Sequence, residues 1–68
     1  MGNDRFWNCS DEMVLDVLIT AAKRMGYFFA ERGEKAYEYH EYKYAEQDVK
    51  DARAELEDRL KRRLKRNN

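Results

Sequence analysis

The apolar residues between positions 13 and 29 recur with the spacing of an α-helix, and they cover more of that helix than one neighbour can bury. One face repeats at steps of 4, 3, 4 and 3 residues, which is the periodicity of an amphipathic helix. Its members are Val14, Leu18, Ala21, Met25 and Phe28. The whole apolar arc is about 240° wide, whereas a helix that packs on one partner needs a stripe of a little over roughly 100°. A second covering surface is therefore expected.

The first helix is predicted over residues 11–32. Ser10 or Asn8 is placed to cap its N-terminus, and two acidic residues follow in the first turn, where negative charge suits the helix dipole. Gly33 can adopt a positive φ without steric penalty, so we expect it to end the helix and reverse the chain. Gly26 offers an alternative end, which would give three helices. A continuous helix is favoured because the apolar phase runs unchanged across Gly26.

A second helix is predicted over residues 34–65, and its apolar stripe repeats at steps of 3, 4, 3, 4 and 4 residues. The stripe consists of Tyr42, Ala45, Val49, Ala52, Leu56 and Leu60. Folding about Gly33 brings Val14 opposite Ala52, so small residues meet and the helices can approach closely. The expected fold class is all-α, a two-helix antiparallel hairpin. The single domain, residues 1–68, divides into an N-terminal arm over 1–10, helices over 11–32 and 34–65, and a tail over 66–68.

The N-terminal arm carries Phe6 and Trp7, so we expect it to pack on the hairpin. At about 1.5 Å per residue the second helix outruns the first by about 15 Å, which leaves Leu60 and Leu64 without a helical partner. Trp7 is therefore predicted to pack on Leu60 or Leu64.

A second copy of the chain is the expected cover for the remaining apolar residues. A domain of this size buries only about 60% of the surface that its unfolded form exposes, and Cys9, the only cysteine, excludes an intrachain disulfide. We predict a homodimer that forms a four-helix bundle, with a hetero-complex or simple exposure as the alternatives. The uncovered flank is either Val17 with Met13 or the row that we expect at the dimer interface, Leu15, Ile19, Ala22 and Phe29.

Four tyrosines alternate with other polar residues between positions 37 and 44. Tyrosine is enriched at protein interfaces because it combines a large rigid body with a polar tip. On one continuous helix, residues seven positions apart share a face. The predicted partner-binding patch is Tyr37, Glu41, Tyr44 and Asp48. The alternative is that these rings cover the ends of the dimer core.

The formal charge is zero in total but is unevenly distributed. Residues 1–30 carry 3 basic and 4 acidic side chains, residues 31–58 carry 5 and 10, and residues 59–68 carry 6 and 0. Basic clusters attract phosphates without sequence preference, so the C-terminal end is a possible nucleic-acid contact. The residues concerned are Lys61, Arg62, Arg63, Lys65 and Arg66. Cations at a helix C-terminus also suit the dipole and could pair with Asp4, Asp11 or Asp16, and the acidic middle would repel phosphate.

No pattern in the chain indicates catalysis, a cofactor or a metal. His40 is the only histidine, and Ala36 and Tyr44, the positions one turn away, supply no metal ligand. Gly-rich phosphate loops and Ser-His-Asp spacings do not occur. The longest apolar stretch falls far short of the roughly 20 residues that span a bilayer. The lone cysteine fits a reducing compartment, so a cytoplasmic location is expected.

These patterns favour a small, self-associating protein-binding module that acts stoichiometrically on another protein as an inhibitor, adaptor or regulator. A small nucleic-acid-binding protein that uses its basic C-terminal end is the alternative. No motif assigns the chain to a family. In size and charge it is similar, in general style, to the small regulators and inhibitors that phages and plasmids encode.

Overall fold

Two long α-helices pack side by side and run in opposite directions. The structure, a computed structural model, describes residues 4–66. A 3₁₀ turn at Asp4–Phe6 precedes helix α1 (Asp11–Arg32), a second 3₁₀ segment (Gly33–Glu38) makes the reversal, and helix α2 (His40–Arg66) returns. These described residues contain no β-strand. The all-α hairpin expected from the sequence is confirmed.

Helix α1 has the bounds that its end signals predicted. The Ser10 hydroxyl accepts a hydrogen bond from the Met13 backbone N–H at 3.2 Å, which satisfies one of the unpaired donors of the first turn. At the other end Gly33 has φ 59°, and its N–H donates to the Phe29 carbonyl. The helix passes through Gly26 without interruption, so the three-helix alternative is wrong.

Helix α2 begins at His40 and not at the predicted residue 34. Six residues, Gly33–Glu38, form a 3₁₀ segment that carries the chain from one helix to the other, with Ala36 fully buried inside the turn. Tyr39 is extended, with φ −90° and ψ 138°, and this separates the segment from α2. The correction has a physical reason: the chain must cross the width of a helix before it can return, and a continuous α-helix from Glu34 could not make that crossing. The last two residues of the predicted tail lie outside the described residues.

Small side chains line the contact between the helices, as the two apolar stripes predicted. Val14, Ala21, Ala45 and Ala52 are buried, and Tyr42 closes the row near the hairpin tip. The larger stripe residues are half-buried at the edges of this row: Leu18, Met25, Phe28, Val49 and Leu56. The contact ends before Leu60, which is exposed.

The N-terminal arm packs through Phe6 and not through Trp7. The Phe6 ring is 2% exposed and fills the space beside Val14 and Ala52, whereas Trp7 is 81% exposed. The predicted packing of Trp7 on Leu60 or Leu64 is therefore wrong, and both leucines are more than half exposed. Neighbouring residues of a tight turn point in different directions, so burying Phe6 directs Trp7 outward.

The molecule measures 47 × 19 × 17 Å. Neither of the long helices described has an apolar stretch sufficient to cross a membrane.

Candidate protein-binding surface

One flank of α1 presents a row of exposed apolar side chains. Leu15, Ile19 and Phe29 are each between 43% and 45% exposed, and Ala22 lies between them, also exposed. The arm packs on the other flank, where Val17 is half-buried against the Phe6 cluster. Of the two flanks that the sequence left open, the arm covers the one that contains Val17 at that residue, while Met13 stays 54% exposed.

Tyr37 extends this row around the hairpin tip. Its ring centre lies 6.0 Å from that of Phe29 and 5.1 Å from that of Tyr42, the latter edge-on. Burial raises the pKa of the Tyr42 phenol, and the neighbouring Tyr37 and Glu46 raise it further. Gly26 is also exposed on this side of α1. We refer to the following residues as the apolar face: Leu15, Ile19, Ala22, Gly26, Phe29 and Tyr37.

The predicted partner-binding patch is only partly assembled. Tyr37 lies in the 3₁₀ segment, so it does not share a helical face with Tyr44, and it contacts Phe29 instead. Glu41, Tyr44 and Asp48 remain on one side of α2. Tyr44 is exposed and stacks on His40 with ring centres 6.3 Å apart. Asp48, in contrast, forms an ion pair with Arg5 at 2.8 Å. The later start of α2 is the reason for the separation.

A buried arginine cluster, which the sequence did not reveal, fixes the arm to both helices. The Arg59 guanidinium donates to Glu55 Oε2 at 2.6 Å, to Asp11 Oδ1 at 2.7 Å, and to the carbonyls of Phe6 and Cys9 at 2.9 and 2.7 Å. The side chain of Arg59 is 14% exposed and that of Glu55 is 5% exposed. We call this group the Arg59 cluster. The one available sequence signal was the Glu55–Arg59 spacing of four residues on the inward side of α2.

The basic C-terminal end is partly neutralised within the chain. Arg62 pairs with Asp58 at 2.9 Å and approaches Glu55 at 3.7 Å, and Arg63 pairs with Asp11. No ion pair among the described residues involves Asp16, Lys61 or Lys65, and the side chain of Arg66 lies outside the described part of the chain. The pairing with Asp11 that the sequence suggested as an alternative is therefore present.

The groove that could hold a small ligand has a low volume. A groove of about 230 Å³ lies between the arm and the two helices, below the roughly 300–1,000 Å³ of typical ligand pockets. Its polar lining consists of Arg5, Asp16, Thr20, Arg24 and Asp48. Over residues 4–66 no cluster of three or more His, Cys, Asp or Glu side chains is placed to bind a metal ion.

Comparison of the chain with protein-family models, with curated proteins and with solved structures finds no match. The apolar face is therefore the feature on which a functional argument rests.

Proposed function

We propose that this chain is a small non-enzymatic protein-binding module that self-associates through its apolar face into a four-helix bundle. The observation that carries the proposal is the exposure of Leu15, Ile19 and Phe29 in one row on the flank of α1 that the arm leaves uncovered. Soluble monomers expose scattered apolar residues but seldom a continuous row along a helix. A second copy of the same face would cover it.

The size of the face supports a dimer. A fully exposed large apolar side chain presents roughly 150–200 Å², so the four large, half-exposed members contribute on the order of 300 Å² per copy. A pair would remove about 600 Å² of apolar surface, and because interfaces are roughly 60% apolar the total would approach 1,000 Å². That is about the area that a specific interface needs.

Exposed aromatic residues outside the apolar face support a second, external protein partner. Trp7 and Tyr44 are the most exposed of these rings, and Trp and Tyr dominate binding hot spots. The carbonyls on either side of Trp7, those of Phe6 and Cys9, are both bound by Arg59. The backbone that carries Trp7 is thus fixed before binding, which lowers the entropy cost of association. The module would act stoichiometrically as an inhibitor, adaptor or regulator, and a cytoplasmic location is part of the proposal.

The ion pairs of the basic end favour protein over nucleic acid as this partner. Arg59, Arg62 and Arg63 already bind carboxylates of the same chain, so fewer cations remain for phosphates. We expect a variant with Gln at Lys61, Arg62, Arg63, Lys65 and Arg66 to retain its protein partner. Duplex DNA binding by the wild type at about 150 mM salt, lost in this variant, would reverse the choice.

Sedimentation velocity at micromolar concentration tests the self-association. The wild type should sediment as a dimer, and Ile19→Glu should sediment as a monomer because a charge would be buried without a partner. Tyr27→Glu is the matched control, since Tyr27 lies on α1, is exposed, and is not part of the apolar face. A monomeric wild type, or equal dissociation of both variants, would contradict the proposal.

A further inference from the structure

Gly26 is an unexplained glycine in the middle of the apolar face. Glycine within a helix lowers helix stability relative to alanine, and only Gly33 among the described residues has a positive φ. A Cβ built at Gly26 would meet nothing within 4 Å. No contact within the described chain therefore requires glycine here. Its effect on the surface is a notch that opens outward from the helix.

The sizes of the side chains along the row are ordered about its centre. The large residues Leu15 and Phe29 lie at the two ends of the row. The small residue Ala22 lies at its centre, and Gly26 lies one turn beyond the centre. Ala22 is equidistant in sequence from the two ends. A two-fold axis at Ala22 that pairs two α1 helices in opposite directions sets Leu15 of one copy against Phe29 of the other. The same register brings Ile19 of one copy to within one residue, or about 1.5 Å along the helix, of Gly26 in the other, so a large side chain can enter the small site.

We propose that the partner of the apolar face is a second copy of this chain in which the two α1 helices run antiparallel, cross at Ala22, and seat Ile19 of each copy in the Gly26 notch of the other. This inference rests on the proposed self-association and specifies its geometry. A parallel pair would set Ile19 against Ile19 and leave the two Gly26 notches facing one another as a void, which is unfavourable packing.

Charge favours the antiparallel order. Residues 31–41 at the hairpin tip carry four acidic and two basic side chains, whereas residues 59–66 at the open end of the hairpin carry six basic side chains, of which Arg59, Arg62 and Arg63 are paired within the chain. Antiparallel copies bring the tip of one towards the open end of the other, and parallel copies bring like ends together. At the open end, Lys61 and Lys65 form no ion pair with the described residues and so remain available to acidic groups of a second copy.

The exposed Leu60 fits the same register. Leu60 lies eighteen residues, or five full helical turns, beyond Tyr42, so both occupy one side of α2. Tyr42 contacts Tyr37 on the apolar face. Because Val14 packs level with Ala52, Leu60 projects beyond the start of α1, to the level at which the antiparallel copy places its own tip. Tyr37 of the second copy would thus cover Leu60.

Cysteine cross-linking in a Cys9→Ser background tests the geometry. Ala22→Cys should form a disulfide-linked dimer under mild oxidation, because both copies of residue 22 lie at the axis. Leu15→Cys alone should not, since its two copies would stand about 21 Å apart along the helices and a disulfide requires Cα atoms within about 7 Å. Mixing Leu15→Cys with Phe29→Cys should restore the link. Cross-linking by Leu15→Cys alone, without linking by Ala22→Cys, would overturn the antiparallel arrangement and leave the self-association standing.

A substitution that fills the notch provides a second test. Gly26→Leu should raise helicity, because leucine favours helix and the site is open within the chain, yet weaken the dimer at least tenfold in Kd. Ala54→Leu, on an exposed position of α2, is the control for added apolar bulk and should leave the Kd unchanged. Ile19→Ala combined with Gly26→Leu should recover part of the affinity, since a smaller residue then faces the filled notch. If Gly26→Leu dimerises as tightly as the wild type, the seating of Ile19 in the notch is contradicted. A monomeric wild type would contradict the self-association itself.

Discussion

Replacing Arg59 with glutamine should remove a large share of the stability of the fold. Arg59 binds Glu55, Asp11 and the carbonyls of Phe6 and Cys9, and glutamine can replace at most a small part of these bonds. Removing one partner of a buried ion pair typically costs about 3–5 kcal/mol, because the other charge stays buried. Arg62 lies 3.7 Å from Glu55 and would compensate in part, so we expect a loss near the lower limit, about 3 kcal/mol.

That loss is large for a chain of this length. At roughly 0.05–0.15 kcal/mol per residue, 68 residues have a free energy of unfolding of about 3–10 kcal/mol. Urea unfolding followed by circular dichroism measures the change, with protein concentration held fixed because self-association adds to the apparent stability.

Arg53→Gln is the matched control for Arg59→Gln. Arg53 also binds a glutamate four residues away, Glu57 at 2.8 Å, but its side chain is 75% exposed, so its loss should not exceed about 0.5 kcal/mol. Adding Glu55→Gln to Arg59→Gln should recover part of the loss by removing the unpaired buried charge. Equal losses for Arg59→Gln and Arg53→Gln would refute the role of the Arg59 cluster.

Two further predictions concern aromatic residues. Trp7 should emit at nearly the same wavelength in the native chain and in urea, because its ring is exposed in the structure; a blue-shifted native spectrum would show that it is covered. Burial raises the pKa of Tyr42, so the folded state holds this phenol proton more tightly than the unfolded state does. The contribution of this group to the free energy of unfolding is fully present below about pH 10 and is lost as the pH rises through the folded pKa. Tyr42→Phe should reduce that alkaline loss in urea titrations and Tyr44→Phe should not; the same alkaline loss in both variants would contradict the assignment to Tyr42.

The helices could be predicted because their signals are local. The Ser10 cap, the positive φ of Gly33 and the apolar phase of α1 all act within a few residues, and the structure places the helix where they indicated. The small residues of the two stripes likewise meet, because a single register aligns Val14 with Ala52. Periodicity gives this register without any knowledge of distant contacts.

The arm and the tip could not be predicted because they depend on contacts that sequence spacing does not encode. Phe6 and not Trp7 enters the core because of the turn at the end of the arm. The backbone N–H of Cys9 closes this turn by donating a hydrogen bond to the Phe6 carbonyl. Arg59 meets Asp11 across 48 residues, so it could not be distinguished from the other basic residues around it. The residue at which α2 begins depends on the distance that the chain must cross between the two helices. This crossing places Tyr37 in the 3₁₀ segment and on the apolar face, and not in α2.

The arm also determines which surface is left for a partner. Four polar residues of α2 are spaced 3, 4 and 4 apart: Asp48, Asp51, Glu55 and Arg59. Asp48 and Asp51 pair with Arg5 of the arm, and Arg59, which is itself bound to Glu55, binds the arm's backbone carbonyls. This spacing forms one stripe on one side of α2. The arm is thereby confined to that side and covers Val17, while the opposite side of the hairpin keeps Leu15, Ile19 and Phe29 exposed. The polar stripe that completes the core of one chain therefore also preserves the apolar face at which we expect the second chain to bind.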